Sequence, residues 1–353
     1  MVDFLYKGDG KPKAEPNLPP PIEPQLRRSS GYIPSEGVKA AVDVALMIGQ
    51  PLLLTGEPGT GKTTLARAIA DELFGGRYLE LQVKSTTRRN DLLYRIDELS
   101  RFRDAHGGVD RKRLLDYFEL QPLGEAIVLA CGPDAPLRDQ AGRKLLGNES
   151  FLVDVFGPNL NPTLPTARSL LPAINDWNGP QRWVVLVDEI DKAPRDTPND
   201  LLEEFERLSF AVPELGIKIV PPETAPRPIV IVTSNSEKSL PEAFLRRCVY
   251  HHIAFPSETE LRRIIERRLG STVLEDEKRL SSILGLLELL RSGRLLKPPS
   301  TSELLALLHL LSDGSTGETD AARVKRFMGV FVKLPEDQVA ALTIIDSWTS
   351  GKQ

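Results

Sequence analysis

The stretch LLLTGEPGTGKTTLARAIADEL, residues 52–73, decides how the rest of the chain is read. Within it Gly56-Glu57-Pro58-Gly59-Thr60-Gly61-Lys62-Thr63 fits G-x-x-x-x-G-K-[ST], a phosphate-binding loop. Its flanks agree. Leu52 to Leu54 form an apolar run suited to a buried strand, and Thr64 to Ala70 carry the spacing of an amphipathic helix. Glycines let successive backbone N–H groups turn toward one point. That point lies at a helix N-terminus, where N–H groups without helical partners and the macrodipole favour an anion. Residues Gly56 to Thr64 are therefore the expected nucleotide-binding set. Lys62 is expected at the β- and γ-phosphates and the Thr63 hydroxyl on Mg²⁺. The expected ligand is a nucleoside triphosphate.

Working outward, Trp183-Val184-Val185-Leu186-Val187-Asp188-Glu189 is an apolar, β-branched run ending in two carboxylates. Such a strand belongs in the middle of a parallel sheet, with its acids at the rim where ligands bind. Asp188 is the expected Mg²⁺ partner of Thr63, and Glu189 the base that polarises the attacking water. Pro228 to Asn235 forms a further buried strand, and Asn235 at its end suits either a turn or a hold on water or the γ-phosphate.

The other segments set the frame. Residues 1–29 carry Pro12, Pro16, Pro19, Pro20, Pro21 and Pro24 among charges and read as a loose arm. Ser35 is the expected N-cap of a helix in which Val38, Val42 and Ala45 share a face. Tyr32 and Ile33, just ahead of it, are candidates for contact with the base or for core packing. Gly75-Gly76 ends the helix that leaves the phosphate loop, and Tyr78 to Val83 alternates as a strand. Thr86 to Arg95 reads as a polar loop entering a helix, a basic helix is expected near Arg111 to Leu115, and Gly132 to Pro165 reads as a long loop. This length suggests an insertion on a compact domain. A helix is expected around Asp200 to Arg207, and a hairpin from Phe210 to Val220 around Glu214-Leu215-Gly216. Leu240 to Cys248 reads as a short helix ending in Arg246-Arg247. Beyond Pro256 three leucine-rich helices are expected, at 258–269, 278–290 and 300–311, with a weakly patterned tail after Gly317.

Composition narrows the classes. The chain has 353 residues, 41% hydrophobic and 27% charged, and a net charge of −4, which argues against a dedicated nucleic-acid binder. No apolar run reaches membrane-spanning length, and the start lacks a signal-peptide core. The two cysteines, Cys131 and Cys248, lack metal-ligand spacing, so a reduced cytoplasm is expected.

In this order, GEPGTGKTT, VDEIDKAP, IVTSN and FLRRC followed by helices resemble an AAA+ ATPase, and most of all the MoxR-like, dynein-related group. The stretches GYIPSEGVKAAVDVAL, DLLYRIDELSRFRDA, FAVPEL and KPPSTSELL carry that narrower likeness. It implies an α/β core of P-loop type over residues 30–257, with a parallel central sheet flanked by helices. It also implies an insertion near 130–175, a helical lid over 258–345 and a tail at 346–353. By the same resemblance Asn235 becomes the first sensor, and Arg246 or Arg247 the arginine finger reaching a neighbouring subunit. A homo-oligomer, a hexameric ring, is implied, with ATP and Mg²⁺ bound at its interfaces. The second-sensor arginine is absent from its expected place, where Lys297 is the nearest cation and Arg294 the next. The implied function is ATP-driven remodelling or activation of protein partners, including a von Willebrand A-domain protein. Alternatives of other classes are a nucleic-acid-linked, restriction-type NTPase that uses ATP or GTP, and a nucleotide-dependent signalling switch. The missing N-K-x-D signature disfavours GTP, and Glu189 with the arginine pair disfavours a pure switch.

Overall fold

A computed structural model describes residues 28–106, 112–145, 152, 155–156, 165–174, 176–270, 276–293, 295–312 and 319–350. Among the described residues the chain forms two compact units, residues 34–56 with 62–253, and the described parts of 1–33, 57–61 and 254–353.

The strands of the first unit are β1 (Leu52–Thr55), β2 (Tyr78–Gln82), β3 (Tyr94–Ile96), β4 (Phe118–Leu120), β5 (Arg138–Asp139), β6 (Val184–Asp188), β7 (Phe210–Val212), β8 (Ile217–Ile219), β9 (Ile229–Ser234) and β10 (Val249–His252). Five of them form one parallel sheet in the order β10-β1-β9-β6-β2. β1 and β6 are buried along their whole length, as apolar runs in a sheet covered on both faces must be. The α/β class with a parallel central sheet is therefore as expected from the sequence.

Helix α1 (Glu36–Ile48) starts where the Ser35 hydroxyl accepts from the Val38 N–H at 3.3 Å and stops at Gly49, whose φ of 69° is left-handed. Its buried residues are Val38, Val42 and Ala45. Helix α2 (Lys62–Phe74) leaves the phosphate loop and ends at Gly75-Gly76, both with positive φ.

The region between β2 and β6 departs most from expectation. Helix α3 (Asn90–Leu93) is only four residues long, because the chain leaves it for β3, helix α4 (Glu98–His106) and β4. β3 and β4 pair antiparallel, so the excursion closes on itself and delivers the chain back to helix α5 (Pro122–Cys131) against α3. The Gln121 N–H donates to the Leu93 carbonyl at 2.9 Å. The excursion lies at 94–120, ahead of the insertion expected near 130–175. Leu114–Tyr117 is a 3₁₀ turn, not part of a basic helix. Lys112 pairs with Asp104 and Arg113 with Asp116, the behaviour of a solvated face; Arg111 lies outside the described residues. Nor is 132–165 simply a loop: β5 pairs antiparallel with β8 and so extends the β7–β8 hairpin to three strands. Parts of the 130–175 segment lie outside the described residues. The helix expected around 200–207 is split into α6 (Thr197–Asp200) and α7 (Leu202–Arg207). Helix α8 (Glu242–Leu245) precedes the arginine pair.

Gly124 in α5 tests the α3–α5 contact. A Cβ there would lie 2.0 Å from the Leu93 carbonyl oxygen, a backbone atom that cannot swing aside. Gly124→Ala is expected to destabilise the protein by about 1–3 kcal/mol through overpacking, seen as a lowered midpoint in denaturant at unchanged slope.

The second unit is helical. Helix α9 (Glu258–Leu269) opens with a capping box between Ser257 and Glu260, and α10 (Glu277–Ser292) and α11 (Thr301–Ser312) follow within a residue or two of expectation. The part read as weakly patterned contains α12 (Asp320–Arg326) and α13 (Pro335–Ser350). Ala341, Ile345 and Trp348 of α13 are buried among the leucines of α9 to α11, so the helix runs into the expected tail as far as Ser350. Residues 1–27 of the arm lie outside the described residues.

Candidate functional site

The C-terminal ends of β1, β6 and β9 bring three of the expected residue groups together. At the end of β1, Gly56 (φ 147°), Gly59 (φ 80°) and Gly61 (φ 91°) hold backbone angles that side chains other than glycine rarely adopt. Lys62 opens α2, only 6% exposed, and its ammonium donates to the Gly56 carbonyl at 2.7 Å. The cation therefore curls back over the loop. Thr63 follows it, and its hydroxyl lies 3.3 and 3.2 Å from the two carboxylate oxygens of Asp188. Thr64 is half-buried in the first turn of α2.

Asp188 is the last residue of β6 and is buried. Burial raises its carboxyl above the usual range, and hydrogen bonds from Thr233 and Thr63 oppose that rise. Glu189 then leaves the sheet with φ 61° and ψ 51°, a left-handed conformation uncommon for glutamate. Its carboxylate accepts from Asn235 Nδ2 at 2.9 Å, from Gln82 Nε2 at 2.6 Å and from the Lys192 ammonium. Asn235, just past β9, is thus placed on Glu189, as the strand-end reading allowed. Gln82 and Lys192 were not singled out in the sequence. The rim rule for parallel sheets could have flagged Gln82, which ends β2 opposite Asp188.

The loop residues Glu57 to Gly61 group with the helical unit. Thr60 donates its hydroxyl to the Glu57 carbonyl at 2.8 Å, and Pro58 is exposed between them and Gly59. The Tyr32 ring approaches Gly61 closely enough that a Cβ there would sit 3.0 Å away, and burial pushes its hydroxyl up to about 12. Ile33 beside it is partly buried. Of the two second-sensor candidates, Lys297 is exposed and its backbone N–H is held by Asp337, while Arg294 lies outside the described residues. A cation missed in the sequence, Arg291, stacks 3.5 Å from the Phe255 centroid and donates to Glu57 at 2.8 Å.

The arginine pair separates. Arg246 is 76% exposed at its side chain and pairs with Glu242 of its own helix. Arg247 is 40% exposed, pairs with Glu206 of α7 and donates to the Ala243 carbonyl at 3.1 Å. Both cysteine thiols are pushed up to about 12 by burial, which removes them as thiolate nucleophiles.

Residues 51–109 match the family model of the AAA domain of the dynein-related subfamily. This segment, about a sixth of the chain, is what is similar to the dynein-related AAA domain. No curated protein matches the chain. Among solved structures, a protein of Cytophaga hutchinsonii thought to be an ATPase aligns at 14% identity with a TM-score of 0.36, covering 91% of this chain and 84% of that one. A lysine-to-arginine mutant of RuvB from Thermotoga maritima aligns at 14% identity and TM-score 0.40, covering 88% and 67%. Likeness this weak carries nothing further: the α/β class rests on the sheet order, and the AAA likeness on the matched segment.

The residues gathered here fit a metal–nucleotide ligand. Three glycines with positive φ shape the loop, and a buried ammonium stands at the start of the helix that follows it. Thr63 and Asp188 offer hard oxygen donors. Among the described residues no group of three or more His, Cys, Asp or Glu side chains is placed to hold a metal alone. Among the described residues no helix is long and apolar enough to cross a membrane.

Proposed function

We propose that this AAA domain hydrolyses ATP and uses the cycle to remodel or activate protein partners, in a homo-oligomeric ring of the MoxR-like type. The observation that carries the hydrolytic reading is the convergence of Asn235, Gln82 and Lys192 on the Glu189 carboxylate, beside the Thr63–Asp188 pair. A protein that only held nucleotide would have no use for a carboxylate so restrained.

In this reading Lys62 and the loop N–H groups from Gly56 to Thr64 hold the phosphates, with Tyr32 and Ile33 against the base. Thr63 and Asp188 hold Mg²⁺, which neutralises charge on the phosphate oxygens when bound. Glu189 accepts a proton from the attacking water, and Asn235 fixes both that water and the glutamate. Arg246 is the better finger: it is the more exposed of the pair and tied only to its own helix, whereas Arg247 braces α8 on α7. The partner class is a protein, with an A-domain protein the first to seek in a pulldown from native lysate, and the setting is the cytoplasm.

Phosphate release from ATP is expected to require Mg²⁺, to stop in EDTA and to return when Mg²⁺ is restored. Release that continues undiminished without divalent metal would remove the Thr63–Asp188 assignment. No release from the purified, nucleotide-binding protein would remove hydrolysis itself.

A further inference from the structure

The geometry points to Thr233 as a positioning residue that sets both acidic side chains at the end of β6, so that Asp188 and Glu189 act as one unit toward a metal–nucleotide ligand. This inference rests on the proposed use of Thr63 and Asp188 toward Mg²⁺.

Thr233 lies in β9 and is 0% exposed. β9 runs parallel to β6 with Val232 opposite Val187, so the next residue along each strand brings Thr233 beside Asp188. Its hydroxyl has two neighbours. The Glu189 backbone N–H lies 2.8 Å away, and Asp188 Oδ1 is within hydrogen-bond distance. The directions of these bonds follow from chemistry. A backbone N–H can only donate, so the Thr233 oxygen accepts from Glu189. A hydroxyl has a single proton, and that proton goes to the Asp188 carboxylate.

One side chain therefore does two things at once. By accepting from Glu189 it satisfies an N–H that has turned out of the sheet ladder at a left-handed residue. That conformation is unfavourable for a non-glycine residue and persists only where its surroundings hold it. By donating to Asp188 it orients the carboxylate. The Thr63 hydroxyl also donates to Asp188, but Thr63 is the residue expected to turn its oxygen to the metal. Thr233 is then the side-chain donor left to fix the plane of Asp188. Partners that orient a metal ligand from behind in this way commonly change metal affinity or activity 10–100-fold when removed.

The competing account is a core threonine that merely fills space and satisfies itself. The two differ in what a hydroxyl-free isostere does to metal dependence. Binding of a fluorescent ATP analogue is measured with and without Mg²⁺ for the wild type, Thr233→Val and Thr233→Ser. Thr233→Val is expected to bind the analogue without metal as the wild type does, and to lose about 10–100-fold of the affinity gained on adding Mg²⁺. Thr233→Ser, which keeps the hydroxyl, is expected to restore most of that gain. Where hydrolysis is also followed, Thr233→Val raises the Mg²⁺ concentration needed for half-maximal rate, and Thr233→Ser does not.

A full Mg²⁺ gain in Thr233→Val overturns the inference. So does an equal loss in the serine variant, or a loss as large without metal. Should Thr233→Val fail to fold, Thr233→Cys, with a weak donor of similar size, is judged by the same Mg²⁺ gain. A wild type whose nucleotide binding ignores Mg²⁺ leaves Thr233 nothing to position and also overturns it. A wild type that shows the gain but releases no phosphate sinks the hydrolytic reading, while the binding measurements still decide for or against Thr233.

Discussion

The Glu189→Gln protein is expected to bind ATP as the native protein does and to hydrolyse it about 10²–10⁴-fold more slowly. The substitution is nearly isosteric, and the new NH₂ finds an acceptor once Gln82 or Asn235 turns its amide oxygen toward it. What it loses is the capacity to take a proton from water. It also loses the ion pair with Lys192, whose side chain is 42% exposed, and pairs of that kind contribute little to stability. Loss of turnover without loss of melting temperature is thus the expected pattern. Lys62→Ala should behave in the opposite way. Its ammonium is buried at the start of α2, and no neutral N–H group replaces a full charge beside a triphosphate. Nucleotide binding itself should disappear in calorimetry, and hydrolysis with it. A Glu189→Gln protein that turns over ATP at the native rate would take this carboxylate out of the chemistry. A Lys62→Ala protein that still binds would do the same for the phosphate loop.

What could be read from the sequence follows the range of the interactions involved. The phosphate loop, the carboxylates ending β6 and the hairpin at 210–219 are local signals, written in consecutive residues, and the structure places them where those residues implied. The boundaries of α9 to α11 were legible for the same reason, since caps such as Ser257 with Glu260 lie within one turn. The β3–α4–β4 excursion was not. Its strands are three residues each and exist because they pair with one another across more than twenty residues of chain. β5 is a two-residue strand for the same reason, made by its partner β8. Helix α13 was obscured because its buried residues, Ala341, Ile345 and Trp348, are mixed with polar neighbours and acquire meaning only against the leucines of α10 and α11. At the site, Gln82 and Thr233 looked like ordinary polar residues at strand ends. The sheet order puts β2 and β9 on either side of β6, and only that order brings them to Glu189 and Asp188. The two arginines were equivalent in sequence, and it is Glu206, some forty residues upstream, that distinguishes them.

A mixture of two inactive proteins is expected to recover activity if the arginines act across a subunit boundary. Arg246→Ala/Arg247→Ala removes both finger candidates, and Glu189→Gln removes the base, so each protein alone should fail to hydrolyse ATP. In mixed rings some interfaces would join an intact Glu189 to an intact arginine from the neighbour. A finger supplied in trans is worth about 10³–10⁵ in rate, so a minority of repaired sites should be visible in phosphate release after subunit exchange. The side chains also predict which arginine matters. Arg247 is held by Glu206 and the Ala243 carbonyl, so Arg247→Ala alone should keep most of the rate and lower the melting temperature only slightly. Arg246 has only an exposed pairing within its own helix, so Arg246→Ala alone should leave the melting temperature unchanged and still lose most of the rate. If the pair only braces its own fold, no mixing ratio restores activity and the single mutants differ in stability alone. Sedimentation with a non-hydrolysable ATP analogue should show a particle larger than the nucleotide-free protein. A monomer that retains full ATPase activity under those conditions would end the ring reading, because a finger that acts in trans has nothing to reach from one subunit.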